Sequence, residues 1–460
     1  MKFDANIISF LVVLQSTSKV ASFSSRSLQS KSTTTFAATF LKMASTTTEA
    51  AASSTSTSTN PFLQQKGLPK FESIEPEYLS PAVEELLEKL VSDFCKLEED
   101  LEKNKNESVV DYEKVLPVVE RMQFPLGYVW GIAGHLNGVK NGDELREAYE
   151  SNQPKVVESM TKFSQSKPLY DALSAIQKQW DDDNDNNESK SDSSESDSFL
   201  QKQRRRALEN SLLEMKLGGV GLEGADKERF NEIKQKLAKL SMTFSNNVLD
   251  DTKAFSHVVQ DAEAMEGVPE SAKAQWAQSY LQSKKDDDEK EAPSIEEATA
   301  KGPWRITLDI PSYLPAMSHL GDRGIRELLY KAYVGKAAET SDGKNNVPLI
   351  YEILTLKQEM ARLLGFTNYA DLSLAKKMAP GVESVNELSD LMAEKAVPAA
   401  QKELEEVTAL ARDKGGDEYS EDKLAKLAPW DVTFWVRKKY LKNRNIELPF
   451  LDFFVCSANL

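Results

Sequence analysis

The 460-residue sequence predicts a mostly α-helical protein. Three observations carry that prediction. Apolar residues recur at three- and four-residue steps in segment after segment between residues 60 and 443, the spacing that gathers side chains on one face of a helix. Capping and breaking residues punctuate these rows. Only Arg305–Ile310 alternates apolar and polar residues, so a minor strand is expected near 304–310.

Taken in order, Ser80-Pro81 supplies an N-cap and a first-turn proline. Val83, Leu86, Leu87, Leu90, Val91 and Phe94 follow on one face. Residues 203–217 read as helical, and Gly219, Gly221 and Gly224 come just after them. These glycines satisfy G-x-G-x-x-G, but a dinucleotide fingerprint needs a strand before it. An interhelical turn is the expectation. The clearest row is Phe230, Ile233, Leu237, Leu240, Phe244 and Val248 within residues 226–250. A further row, Ile350, Ile353, Leu354, Leu356, Met360, Leu363 and Leu364, stops at Gly365. Ser384 and Glu387 form a capping box for another helix, which Pro398 is expected to bend or break.

The net charge of −16 argues against a nucleic-acid partner, which would need a basic stripe. Much of the charge lies in two tracts. Residues 181–198 hold eight acids and one lysine, and residues 286–297 hold seven acids and one lysine. Tracts so poor in apolar residues cannot offset the entropy of ordering, and both inserts, 181–198 and 284–297, are expected to be disordered. The apolar run Ile7–Leu14 is too short for stable membrane insertion but suits a signal-peptide core. Val20-Ala21-Ser22 offers a cleavage site, and Phe23–Thr48 has no acidic residue among its many Ser and Thr. Residues 1–59 therefore read as a targeting leader and linker, of signal-plus-transit type, directing the chain to a plastid or another organelle. The alternative is a cytoplasmic protein starting at Met43.

The inventory of reactive side chains is small. Two cysteines, Cys95 and Cys456, cannot build a disulfide framework or a thiolate zinc cluster. The three histidines, His135, His257 and His319, are far apart. Each reads as structural: His135 packed near the core, His257 in a β-like run, and His319 after a Pro-rich turn. Arg204–Arg206 reads as a solvated helix face. The chain has no G-x-S-x-G, no Walker loop and no Cys-x-x-Cys. The residues themselves nominate no catalytic, cofactor-binding or metal-binding position.

From Asn60-Pro61-Phe62-Leu63 onward the chain resembles a known family. Leu68-Pro69-Lys70-Phe71, His135-Leu136-Asn137-Gly138, Leu145-Arg146-Glu147-Ala148-Tyr149 and Phe244-Ser245-Asn246-Asn247-Val248 follow in family order. So do Leu308-Asp309-Ile310-Pro311-Ser312-Tyr313-Leu314-Pro315, Asn368-Tyr369-Ala370-Asp371 and Pro429-Trp430-Asp431. The series is similar to oligopeptidase A in the thimet-oligopeptidase family of zinc metallopeptidases, over about 60–443. The terminal run Leu448–Leu460 is read as departing from it.

The resemblance implies the N-terminal half of a two-lobed, channel-containing helical fold. Residues 60–265 would form an N-terminal helical domain carrying the first insert. Residues 266–460 would begin a catalytic domain, truncated, carrying the second. The implied activity is zinc-dependent hydrolysis of short peptides, cleaved leader peptides among them. In the family, H-E-x-x-H supplies two zinc ligands and a Glu that activates water. All of the family's catalytic and zinc positions lie beyond the segment matching Pro429-Trp430-Asp431. This chain has no histidine after His319, so none of those positions can be carried over. Zinc belongs to the complete family member and is not expected to bind tightly here. The alternative reading is a non-catalytic helical remnant that binds peptides or a partner. A complete member is expected to be monomeric; this chain, with Phe450–Val455 adding apolar surface, is expected to be aggregation-prone.

Overall fold

The computed structural model describes residues 60–444 except 66, 106–109, 187–194, 285–292, 339–343, 421 and 423–425. The expected leader at 1–59, the run Phe450–Val455 and the centres of both acidic tracts lie outside the described residues. The chain divides into two compact units.

The first unit takes in the described part of Ser25–Leu240 together with Ile353–Val382. It contains α1 (Leu79–Lys103), α2 (Tyr112–Val139), α3 (Asp143–Ser164), α4 (Lys167–Asn186) and α5 (Glu195–Leu217). It also holds the first part of α6 (Gly224–Ala254), the end of α11 (Val347–Leu363) and α12 (Tyr369–Leu374). Helices α1 to α5 share one apolar cluster that runs from Phe62 to Met215. Leu79, Ala82, Val83, Leu90 and Phe94 put the buried face of α1 into it, and Phe94 stacks on Phe163 of α3.

Several local expectations shift here for identifiable reasons. Helix α1 begins at Leu79, straight out of the 3-10 turn Pro76–Tyr78, so Ser80 is not its cap. The Ser80 hydroxyl instead accepts from the Asn152 amide, 2.7 Å away. Pro81 still falls in the first turn, where a missing N–H leaves no bond unmade. Helix α4 reaches Asn186 and α5 starts at Glu195, so both edges of the tract 181–198 are helical rather than loop. Arg204 and Arg205, read as a solvated face, are half-buried and engaged. Arg204 pairs with Glu113 of α2, and Arg205 with Asp181 of α4. The three glycines do form the turn between α5 and α6. Gly219 has φ +86°, and a side chain there would meet Leu222, Gln165 and Phe230.

The second unit takes in Ser241–Glu352 and the described part of Glu383–Leu460. After the rest of α6 come β1 (Ser256–Val259), α7 (Glu270–Ser283), α8 (Ile295–Lys301), β2 (Trp304–Thr307), α9 (Ile310–His319) and α10 (Arg323–Val334). The start of α11, α13 (Val382–Lys414) and α14 (Pro429–Arg444) complete it. The expected strand is present but shorter. β2 pairs antiparallel with β1, Val259 opposite Trp304 and Ser256 opposite Thr307. It ends at Thr307, whose N–H donates to the Ser312 hydroxyl at 3.0 Å, and Ile310 already opens α9. Trp276, Trp304 and Ile306 are fully buried at the centre of one cluster. A smaller cluster gathers Val407, Ala411, Tyr419, Val432, Phe434 and Trp435.

Of the two outcomes expected at Pro398, a bend or a break, the break does not occur: Pro398 lies inside α13 without ending it. Glu394, whose carbonyl loses its partner there, is exposed and can turn to water. The Pro-rich turn expected before His319 is helix α9, with Pro311 in its first turn. The Ser384–Glu387 capping box also fails, because α13 already starts at Val382.

Candidate functional site

The described residues of the second unit hold an ionic cluster built on a fully buried pair, Arg326 and Asp431, with Arg323 half-buried at its edge. Its centre is Asp431, in the first turn of α14, where a carboxylate suits the positive end of the helix dipole. Arg326, on α10 and also fully buried, donates from Nη2 to Asp431 Oδ1 at 2.9 Å. Arg323, one turn earlier, donates from Nε to Oδ2 at 2.9 Å. The Tyr419 hydroxyl donates to Asp431 Oδ1 at 2.9 Å and accepts from Arg326 Nη2 at 2.8 Å.

Arg326 has no unused donor. Its Nη1 reaches the carbonyls of Leu320 and Gly321 at 2.6 and 3.0 Å, and its Nε reaches the carbonyl of Trp430 at 3.2 Å. The guanidinium also lies 4.2 Å from the Phe434 ring centre. Burial pushes the Tyr419 hydroxyl above the ordinary tyrosine range. For Arg323, burial is the largest single influence and pulls the other way, but the bond to Asp431 and the negative charge around it together outweigh burial and the value rises. Every group is committed to another, so this arrangement is suited to orientation rather than reaction. It ties the first turn of α14 to α10 and to the α9–α10 junction.

Sequence reasoning singled out Asp431 within Pro429-Trp430-Asp431 but missed its partners. One signal was available: Arg326 occupies the inward row of α10 just before Leu329, Tyr330 and Tyr333, which carry no charge.

The histidines stay apart. His135, expected near the core, is exposed on α2 beside Phe71, with ring centres 5.7 Å apart. It falls one position off the buried row Ile132, Ala133 and Leu136. His257 is half-buried on β1, and His319 is buried at the end of α9. Among the described residues no three His, Cys, Asp or Glu side chains gather as a metal site. The described residues therefore offer no set of the three or more ligands that a catalytic zinc ion takes.

Comparison with known proteins places the chain. Residues 83–227 match the model of the neurolysin and thimet oligopeptidase N-terminal domain, and residues 316–455 match that of peptidase family M3. The second match runs past 443 and takes in part of the terminal run read as departing from the family. The chain is 36% identical to a probable cytosolic oligopeptidase A of Arabidopsis thaliana, over 84% of its own length and 49% of that protein's. It is 36% identical to an organellar (chloroplastic/mitochondrial) oligopeptidase A of the same plant, with 82% and 43% covered. It is also 36% identical to oligopeptidase A of Haemophilus influenzae, with 83% and 50% covered. The chain thus belongs to the thimet oligopeptidase and oligopeptidase A family of peptidases. It spans about half the length of these relatives.

Proposed function

We propose that the chain is the N-terminal half, and the beginning of the catalytic half, of a zinc metallo-oligopeptidase that hydrolyses short peptides, including cleaved leader peptides. The observation that carries this reading is the continuous similarity to oligopeptidases A over more than four-fifths of the chain. We further propose that the 460-residue polypeptide by itself neither holds catalytic zinc nor cleaves peptides. H-E-x-x-H is absent from it, and its three histidines sit on separate elements. The buried Asp431 cluster supports a supporting role for this half: it orients α14, the last described helix, without spending a reactive group.

Helix α13 supports the proposal that complete activity needs more protein. Val385, Leu388, Leu391 and Met392 form an exposed apolar row on it, Leu388 at 60%. We propose that this row packs against the rest of a catalytic domain and favours association in its absence. Organellar import through residues 1–59 is proposed on their composition and on the existence of an organellar relative.

The test is metal analysis and cleavage of a quenched peptide by the purified chain. The expected outcome is no zinc retained after dialysis and no chelator-sensitive cleavage. Stoichiometric zinc with chelator-sensitive turnover would overturn the second proposal. Light scattering should report association. A monodisperse monomer would favour the remnant that binds peptides or a partner without cutting them.

A further inference from the structure

The first unit contains a cavity of about 470 Å³ unrelated to the Asp431 cluster, within the size range of small-ligand sites. It is bounded by α1, the end of α3, the start of α4 and the start of α6. Its apolar wall is Val91 with the stacked rings of Phe94 and Phe163. Two polar groups on it have no assigned work. Ser159 is 4% exposed, and among the described residues its hydroxyl has no hydrogen-bond partner. A buried hydroxyl left unpaired is unfavourable and rare. Lys227, half-buried at the start of α6, has no ion pair among the described residues. Of the remaining charges, Lys162 pairs with Glu158 and Lys167 pairs with Asp171, while Glu98 accepts from the neutral Ser166 hydroxyl and keeps its charge. Gln165 is likewise used, donating to the Gly218 carbonyl and to Asn231.

An unpaired ammonium and an unpaired hydroxyl beside an aromatic wall suit one ligand chemistry. We propose that this cavity binds a small carboxylate with an apolar body, its carboxylate on Lys227 and Ser159 and its body against Phe94 and Phe163. Such a group could be a free organic acid or the C-terminus of an apolar peptide, and the two differ only in what extends from the body. The inference does not depend on the peptidase reading.

Cys95, exposed at the cavity's edge, provides a reporter. The full chain carrying Cys456→Ser is alkylated at Cys95 with iodoacetamide while N-acetylphenylalanine, its neutral amide or hexanoate is titrated. The same ligands are titrated by ligand-observed NMR. N-acetylphenylalanine should bind saturably, slow Cys95 alkylation, and bind about tenfold tighter than its amide, the scale of one charged hydrogen bond. Lys227→Met should remove that preference without altering binding of the amide. Ser159→Ala should weaken the acid while leaving Tm unchanged or raised, because it deletes an unsatisfied group; a purely structural serine would not move affinity. Tighter binding of hexanoate than of N-acetylphenylalanine would assign the site to simple acids, and the reverse to peptide C-termini; either supports the carboxylate class. Equal affinity for acid and amide, absence of saturation, or acid binding indifferent to Lys227→Met would overturn the proposal.

Discussion

The two units keep their charges in different places. In the first, one apolar cluster runs through five helices, and cross-helix ion pairs such as Lys155–Glu84, Arg204–Glu113, Arg205–Asp181 and Arg229–Glu359 stay partly in water. In the second, the apolar residues fall into two smaller clusters, and Arg326 and Asp431 are both fully buried. Surface pairs add little to stability. A buried pair adds little net stability either, yet it is severe to break because removing one member strands the other. The first unit should therefore respond to losses of volume, the second to losses of partner.

The largest effect is expected at Asp431. Asp431→Ala would leave two guanidinium groups and a tyrosine hydroxyl without their acceptor, Arg326 with no route to water. Unfolding stability should fall by about 3–5 kcal/mol, the range for breaking a buried pair, and urea titration would measure it. Arg326→Lys sharpens the point. A single ammonium cannot replace the planar fork that reaches Asp431, Tyr419 and the three backbone carbonyls. It should lose much of the same stability although charge is conserved. If both variants unfold like the parent, orientation of α14 does not depend on the cluster.

Next in size is a core truncation in the first unit. Leu173, 1% exposed on α4, belongs to the large cluster. Leu173→Ala should cost about 2–5 kcal/mol, the transfer term plus whatever cavity remains. Leu173→Met should cost under about 1.5 kcal/mol, because volume is nearly conserved. Equal losses from the two would mean that side-chain shape rather than volume governs this core, and the contrast between the units would narrow.

That contrast also separates what was legible in the sequence from what was not. The rows on α1, α6 and α11 were readable because the helical period is local, and Gly219 and Gly365 marked the ends of α5 and α11 through positive φ, +86° and +82°. Caps were misplaced where a distant residue intervened. Ser80 looks like a cap until Asn152, 72 positions away, occupies its hydroxyl. The ionic cluster was less legible still. Arg326 and Asp431 are 105 residues apart, and no local pattern announces that two charges so separated are buried together. Family resemblance reached further than periodicity, since it ranked Pro429-Trp430-Asp431 among the matching segments before any partner was visible.

The smallest effect expected is at an exposed pair, and pH and salt separate it from the buried one. Arg229 holds Glu359 with two bonds, Nε to Oε1 at 2.6 Å and Nη2 to Oε2 at 2.9 Å. Those bonds lower the Glu359 carboxyl below the ordinary glutamate value, against a smaller opposing effect of burial. A depressed folded-state value means that the unfolded chain takes up the proton first as pH falls. The pair's contribution is therefore whole above the ordinary value of 4.5 and is lost as pH falls through the lower folded-state value. Glu359→Gln should melt slightly below the parent at pH 7, and the gap should close in acid. Because the two side chains are 43% and 38% exposed, salt should narrow the gap as well. The gap produced by Asp431→Ala, with no solvent between its charges, should persist in the same salt series. Calorimetry of the parent and both variants across pH and ionic strength checks this. A Glu359→Gln gap that ignores both variables would show that the pair is held by packing rather than charge, and the two units would then differ less than their ion pairs suggest.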